Sequence, residues 1–186
     1  MTEMPEELRN ALASGERVLW WGWPRQGLVL RSSDMFAIPF SLLWCGFAIF
    51  WETGVLSSGR APGFFAFWGI PFVAIGLYMV IGRFFAEAVQ RSKTNYALTA
   101  DRVLIVSGVF SRTVRSLSLD TLSDVTLTEG SNGKGSITFG PQNPFGSMFG
   151  GTSSWPGAQQ QSPRFDLIDD ARTVYEKIRS AQRSPK

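Results

Sequence analysis

Histidine is absent from all 186 residues. With it go the usual general base near neutral pH and the commonest neutral metal ligand. Cysteine is nearly absent. Cys45 alone can form neither an intrachain disulfide nor a thiolate zinc cage, and a single thiol suits a reducing compartment. Charge is also scarce, at 18% of residues against roughly 25% in an ordinary globular protein. A formal net charge of +3 is too small to carry nucleic-acid binding. No secretory leader is expected, because MTEMPEEL puts Glu3, Glu6 and Glu7 where a leader needs basic residues. Pro5, then Leu8, Ala11 and Leu12 at helical spacing, with Gly15 beyond, predict a short helix there.

The missing charges are concentrated in two segments. Residues 35–51 read MFAIPFSLLWCGFAIFW and residues 63–82 read GFFAFWGIPFVAIGLYMVIG, both without Asp, Glu, Lys or Arg. About 20 apolar residues cross a bilayer, and neither run shows a polar face. A chain this short has too little remaining apolar sequence to wrap two such helices in a soluble core. The first run carries Phe36, Ile38, Phe40, Leu42, Leu43, Phe47, Ile49 and Phe50. At roughly −0.3 to −0.6 kcal/mol each, these favour insertion by a few kcal/mol in sum. The predicted spans cover about 35–51 and 63–85. Pro39 and Pro71 sit early in them, where neighbouring helices can satisfy the freed carbonyls. Ser41 and Tyr78 are the polar side chains worth noting inside them.

The link ETGVLSSGRAPG contains one acid, Glu52, and one base, Arg60. The outer flanks carry Arg17, Arg25 and Arg31 before the spans and Arg83, Arg91 and Lys93 after them. The positive-inside rule therefore predicts a multi-pass protein with both termini in the cytoplasm. Three parts follow: an N-terminal cytoplasmic or interfacial segment (1–34), a transmembrane hairpin (35–85) and a cytoplasmic domain (94–183).

Just before the first span lies LWWGWPRQG. Trp20, Trp21 and Trp23 beside Arg25 have two readings. They can anchor at the headgroup level, where indoles and arginine both gather. Or residues 18–21 can form a strand that packs on the later domain with alternate indoles buried. A base-stacking platform lacks the dense basic groove it needs.

Beyond residue 85 the pattern turns to period two. Residues 96–99 and 102–107 predict strands joined at Ala100-Asp101, and 113–119, 124–128 and 136–140 predict three more. GSNGKG at 130–135 reads as a hairpin loop with Asn132-Gly133 at its corner. It is no phosphate loop, since Thr128 stands where the first glycine belongs and Gly135 follows the lysine. Residues 140–163 are rich in Gly, Pro, Ser and Gln, with Phe145, Met148, Phe149 and Trp155 among them. This is either a loose excursion or a segment that touches lipid or a partner through its aromatics. RFDLI predicts a last strand. Asp169 then caps a helix whose Ala171, Val174, Tyr175, Ile178 and Ala181 share one face. Short antiparallel strands closed by such a helix mean α+β.

Asp120 and Asp124 flank a turn rather than form an acid–base pair, and Arg112 and Arg115 are solvated strand residues or headgroup contacts. Neither catalytic residues, cofactor nor metal is expected.

Taken together, GERVLWWGWP, the two-span hairpin, NYALTADRVLIVSG, RSLSLDTLSDVTL, SITFG and PRFDLIDDARTVYEKI resemble the bacterial pleckstrin-homology-like membrane proteins. The resemblance covers nearly the whole chain. It implies a small bent antiparallel sheet, or partial barrel, closed by the C-terminal helix at the inner membrane of a bacterial cell. It implies no common catalytic activity. The basic loop with which phosphoinositide-binding relatives hold phosphates is reduced here to Ala100-Asp101. The function expected is an integral-membrane interaction module that binds a protein partner or copies of itself, without nucleic acid. The alternative is a protein that senses or organises anionic lipid. Candidate interface residues are Trp20, Trp21, Trp23, Arg25, Phe145, Phe149 and Trp155, with Arg112 and Arg115 as headgroup contacts.

Overall fold

A computed structural model of the chain describes residues 3–30, 34–59, 63–109, 111–130, 133–141 and 162–183. The helices are α1 (Glu6–Arg9), α2 (Asp34–Ser57), α3 (Gly63–Leu77), α4 (Arg83–Ser92) and α5 (Ala171–Arg183), with a π-helical turn (Tyr78–Gly82) between α3 and α4. The strands are β1 (Val18–Gly22), β2 (Thr94–Thr99), β3 (Arg102–Ser107), β4 (Thr113–Ser118), β5 (Val125–Glu129), β6 (Gly135–Phe139) and β7 (Arg164–Ile168). The described chain divides into a helical unit within residues 28–87 and a sheet unit built from 3–27, 88–141 and 162–183. The class is α+β.

In the helical unit, α2 has 24 residues and extends about 36 Å at 1.5 Å per residue. The helix that starts at Gly63 continues through the π turn to Ser92. Both are long and apolar enough to cross a membrane. A core helix of a soluble protein is mostly buried, whereas here only 17% and 12% of the most apolar windows are. Pro39 and Pro71 lie inside their helices without ending them. The first helix does not stop at Trp51 but runs six residues further, because nothing in ETGVLS breaks it before the turn at Gly59, whose φ is +60°. Glu52 is therefore a helix residue, not a loop residue.

The sheet unit holds two antiparallel sheets, ordered β1-β2-β3-β4 and β5-β6-β7. Strands β2 and β3 meet at the two-residue turn Ala100-Asp101, where the Thr99 hydroxyl accepts the Arg102 N–H at 3.1 Å. Alternation along β2 and β3 buries both faces. Tyr96, Leu98, Val103 and Ile105 join Ile137, Phe139, Phe165 and Ile168 of the second sheet in the main core. Ala97, Leu104 and Val106 face the other way, against Leu8 of α1. Helix α5 covers the main core with Ala171, Val174 and Ile178, as its apolar spacing requires. The β5–β6 loop closes with the Gly130 N–H donating to Lys134 O at 2.8 Å; Asn132 lies outside the described residues.

The N-terminal segment is not a separate part. Strand β1 pairs with β2, Trp21 opposite Ala97 and Gly22 opposite Tyr96, so residues 3–27 complete the sheet unit. The 1–34, 35–85 and 94–183 division drawn from the sequence thus differs from the structural one, because backbone pairing between distant strands leaves no compositional mark.

Glu16 fastens this segment further. Its carboxylate accepts two hydrogen bonds from the Arg102 guanidinium, at 2.8 and 2.7 Å. That bidentate pair holds its pKa down at about 2. Because the unfolded chain takes up this proton first, the stabilisation is complete above pH 4.5 and is lost between pH 4.5 and about 2. Its size is on the order of 1–3 kcal/mol. Glu16→Gln should lower the thermal midpoint of the detergent-solubilised chain at pH 7. It should also flatten the midpoint's fall below pH 4.5. Identical pH profiles for both proteins would exclude this role. Phe165 is fully buried, and Phe165→Ala should cost about 3–5 kcal/mol by denaturant titration.

Candidate functional site

Strand β1 carries an irregularity between Val18 and Trp20 and is regular from Trp20 to Gly22, so Trp20 and Trp21 fall on opposite faces by alternation while Trp23 lies beyond the strand. Such a bulge puts two successive side chains on one face. Leu19 and Trp20 accordingly pack on the main core, and the Trp20 ring lies 5.5 Å from that of Phe165. Trp21 turns to the opposite face, beside the Leu8 cluster. Trp23, beyond the strand, is 43% exposed with its ring 5.7 Å from Trp21 at an interplanar angle of 56°. Arg25 is exposed, and its backbone N–H donates to Leu167 O at 3.0 Å. Of the two readings of this segment, the strand packed on the sheet is the one the fold adopts for Trp20 and Trp21.

Strand β1 is an outer strand, with β2 on one side only. Beside it runs a groove of about 420 Å³. It is lined by residues 20–23 of the β1 segment and by Asp169, Asp170, Thr173, Val174 and Lys177 from the corner into α5. Val174, 1% exposed, belongs to its floor. Asp169 faces Lys134 at 3.3 Å, while no partner contacts the Asp170 carboxylate among the described residues.

The proposed headgroup arginines are elsewhere. Arg112 donates to the Glu7 carbonyl of α1. Arg115 is exposed on β4, the outer strand at the opposite edge of the sheet from β1. The fold therefore does not gather Arg112 and Arg115 with the tryptophans. Phe145, Phe149 and Trp155 lie outside the described residues. Asp120 sits in the 3-10 turn at Leu119–Thr121, and Asp124 uses its carbonyl to accept the Gly140 N–H at 2.8 Å. Among the described residues no three of His, Cys, Asp and Glu gather as a metal site.

The helical unit holds a polar seam that the sequence reading missed. Asp34, Ser41, Cys45, Ala48 and Glu52 are buried along one face of α2, at coiled-coil-like spacing. Gly69 and Gly76 face them from α3. A Cβ on Gly76 would lie 2.9 Å from Cys45 Cα, so the backbones touch there. A Cβ on Gly69 would lie 1.6 Å from Glu52 Oε2. Near the other end, Arg83 donates to Asp34 at 2.8 Å. Pairs 34–83, 45–76 and 52–69 describe two antiparallel helices in register. Small residues allow such approach where no hydrophobic driving force joins helices in lipid. Glu52 Oε2 is buried without a hydrogen-bond partner among the described residues. The signal for this seam was available in the sequence. Gly69 and Gly76 are seven apart, and Ser41, Cys45 and Ala48 follow the same period.

A family model, the bacterial PH domain, matches residues 40–136, more than half of the chain. The chain belongs to the bacterial PH domain family. The matched stretch runs from within α2 to the start of β6. Comparison with curated proteins and with solved structures returned no match. A bacterial PH domain points to an interaction or lipid-binding module, and PH-like domains are typically non-catalytic. The tryptophan groove lies outside the matched stretch on both sides: its walls come from residues 20–23 and 169–177.

The seam yields a graded test, read as thermal unfolding in mild detergent by circular dichroism. Gly76→Val should be the most destabilising change, because Cys45 backbone cannot move aside. Gly69→Ala should cost less, because the nearest colliding atoms belong to the flexible Glu52 side chain, and adding Glu52→Ala should recover part of the loss while the Trp51 ring, 2.8 Å from the added Cβ, keeps the rest. Failure of Glu52→Ala to recover any of the Gly69→Ala loss would refute the packing.

Proposed function

We propose that this bacterial PH domain protein is a non-catalytic interaction module. Helices α2 and α3–α4 cross the cytoplasmic membrane as a hairpin, and the sheet unit stands at the cytoplasmic face. There it binds a protein partner or assembles with copies of itself. The observation that carries the reading is the family match over residues 40–136, a stretch that takes in the apolar helices and strands β2–β5. Three basic residues flank the hairpin on each outer side, against Arg60 alone in the link, which supports the cytoplasmic placement of both termini.

Topology is read with single cysteines in a Cys45→Ala background. A membrane-impermeant thiol reagent applied to spheroplasts should label Ser58→Cys and should reach Glu176→Cys only after lysis. The reverse pattern would invert the protein. Interaction is read by gentle crosslinking of the full chain in membranes, then purification and mass measurement. A defined homo-oligomer or a stoichiometric companion is the expected result. A lone monomer would remove the reading.

The alternative, a protein that binds anionic lipid headgroups, is supported by exposed Arg115 on β4 and by exposed Trp23 and Arg25. Its signature is a monomer that retains anionic lipid through purification and loses it on Arg115→Glu.

A further inference from the structure

We propose that β4, an outer strand of the four-stranded sheet, takes up an extended strand of the protein partner, with an acidic side chain of that strand set against Arg115. This rests on the reading of the sheet unit as an interaction module, and it names the surface of that module and the chemistry it recognises.

The backbone of this edge fits a strand. β4 pairs with β3 through six consecutive residues without a bulge, and β4 ends the sheet. In an antiparallel ladder alternate residues turn their N–H and C=O groups away from the neighbour. Half of the β4 backbone groups therefore face outward, and among the described residues no backbone–backbone hydrogen bond outside the ladder reaches Thr113–Ser118. The other outer strands are less open. β1 is irregular, Leu167 O of β7 already accepts the Arg25 N–H at 3.0 Å, and the one charge on β5, Glu129, is engaged by Arg172 at 2.9 Å. The side chains of β4 set the chemistry of the occupant. All are exposed except Leu117, which is half-buried. Arg115 makes no ion pair or hydrogen bond among the described residues. Residues 109–119 hold Arg112 and Arg115 and no acid. On β3 alongside, Arg102 is neutralised by Glu16 at 2.7 Å, and Asp101 and Asp120 lie in turns at the Ser118 end. The middle of the strand is thus positive. Opposite charges directly across a ladder stabilise it, and like charges destabilise it. A second copy of β4 would bring another Arg115 onto the same face with no acid to meet it, so Arg115 turns this edge away from self-pairing and toward an acidic strand. An antiparallel strand with its acid opposite Arg115 sets the residue two positions earlier against Leu117 and the residue one position later against Val114, which is 44% exposed. Both of those positions suit apolar side chains. An anionic headgroup also meets Arg115, but it has no N–H donors for the outward carbonyls.

The test uses the full chain in mild detergent and a labelled octapeptide with valine, threonine, glutamate and valine in that order at its centre, read by fluorescence anisotropy. Counterparts carry glutamine or lysine in place of the glutamate. The glutamate peptide should bind about tenfold more tightly than the glutamine peptide, and the lysine peptide should not bind measurably. Arg115→Glu, a change at an exposed residue, should reverse that order, a result that loss of folding cannot produce. Two further glutamate peptides are N-methylated at alternate residues, one on each set. Methylating the set whose N–H groups face β4 should abolish binding, and methylating the other set should not. Equal binding of the glutamate and glutamine peptides, an unchanged order in Arg115→Glu, both methylated peptides binding like the parent, or no binding of any peptide would overturn the proposal. So would retention of phosphatidylglycerol by a chain that binds none of the peptides, lost on Arg115→Glu, which would give Arg115 to the membrane. A photo-crosslinking residue placed at Val114, with another at exposed Glu176 on α5, separates this proposal from the broader one when used in membranes. Capture of a protein from Val114 that Arg115→Glu abolishes supports the edge. Capture of a second copy from Val114 overturns the acidic strand and leaves the interaction module standing, as does capture of a protein from Glu176 alone. Capture from neither overturns both.

Discussion

The sheet unit is organised around one side chain. Phe165 of β7 is fully buried, and three rings from three other strands close on it. Trp20 of β1 lies at 5.5 Å, Tyr96 of β2 at 4.7 Å and Phe139 of β6 at 5.1 Å. Aromatic pairs at such spacings add to the burial of large apolar area. This contact lies at the centre of the core that joins the two sheets, which hydrogen bonding does not link, since it ends at β4 in one and starts again at β5 in the other. Polar groups reinforce it. The Asp166 N–H donates to the Tyr96 hydroxyl at 3.1 Å, and the Ser136 hydroxyl donates to the Asp166 carboxylate at 3.2 Å. Trp20 is thus committed to the core, and its burial carries β1 into the sheet.

The helical unit follows a different physical rule. Its large side chains point outward, and its interior contact is made by glycine, serine, cysteine and alanine. Helices that pack in apolar surroundings make their contacts in this way. Glu52 and Asp34 are the exceptions in the seam. Asp34 is matched by Arg83, while Glu52 is accommodated by the missing side chain of Gly69.

Membership of the bacterial PH domain family accounts for the scaffold and not for a ligand. The features that differ along the surface of the sheet unit are local. One outer strand, β4, exposes Arg115. The other, β1, borders a groove lined by its own segment and by Asp169, Asp170 and Lys177 at the start of α5.

Much of this was legible along the chain because it is encoded locally. Two uncharged runs mark the apolar helices, period-two alternation marks β2 and β3, and the spacing of Ala171, Val174 and Ile178 marks the buried face of α5. The Ala100-Asp101 turn followed from its brevity alone. What the sequence could not decide was which distant segments meet. Nothing near Trp20 says that its partner is Phe165, and nothing near Glu52 says that its space is left by Gly69. Whether a tryptophan packs in a core or stands at a surface depends on those long-range contacts. Composition and periodicity determined the elements of this protein. Tertiary structure alone decided that Trp20, Trp21 and Trp23 divide among a core, a second core and an exposed position, because pairing of β1 with β2 gives Trp20 and Trp21 opposite buried faces and ends before Trp23.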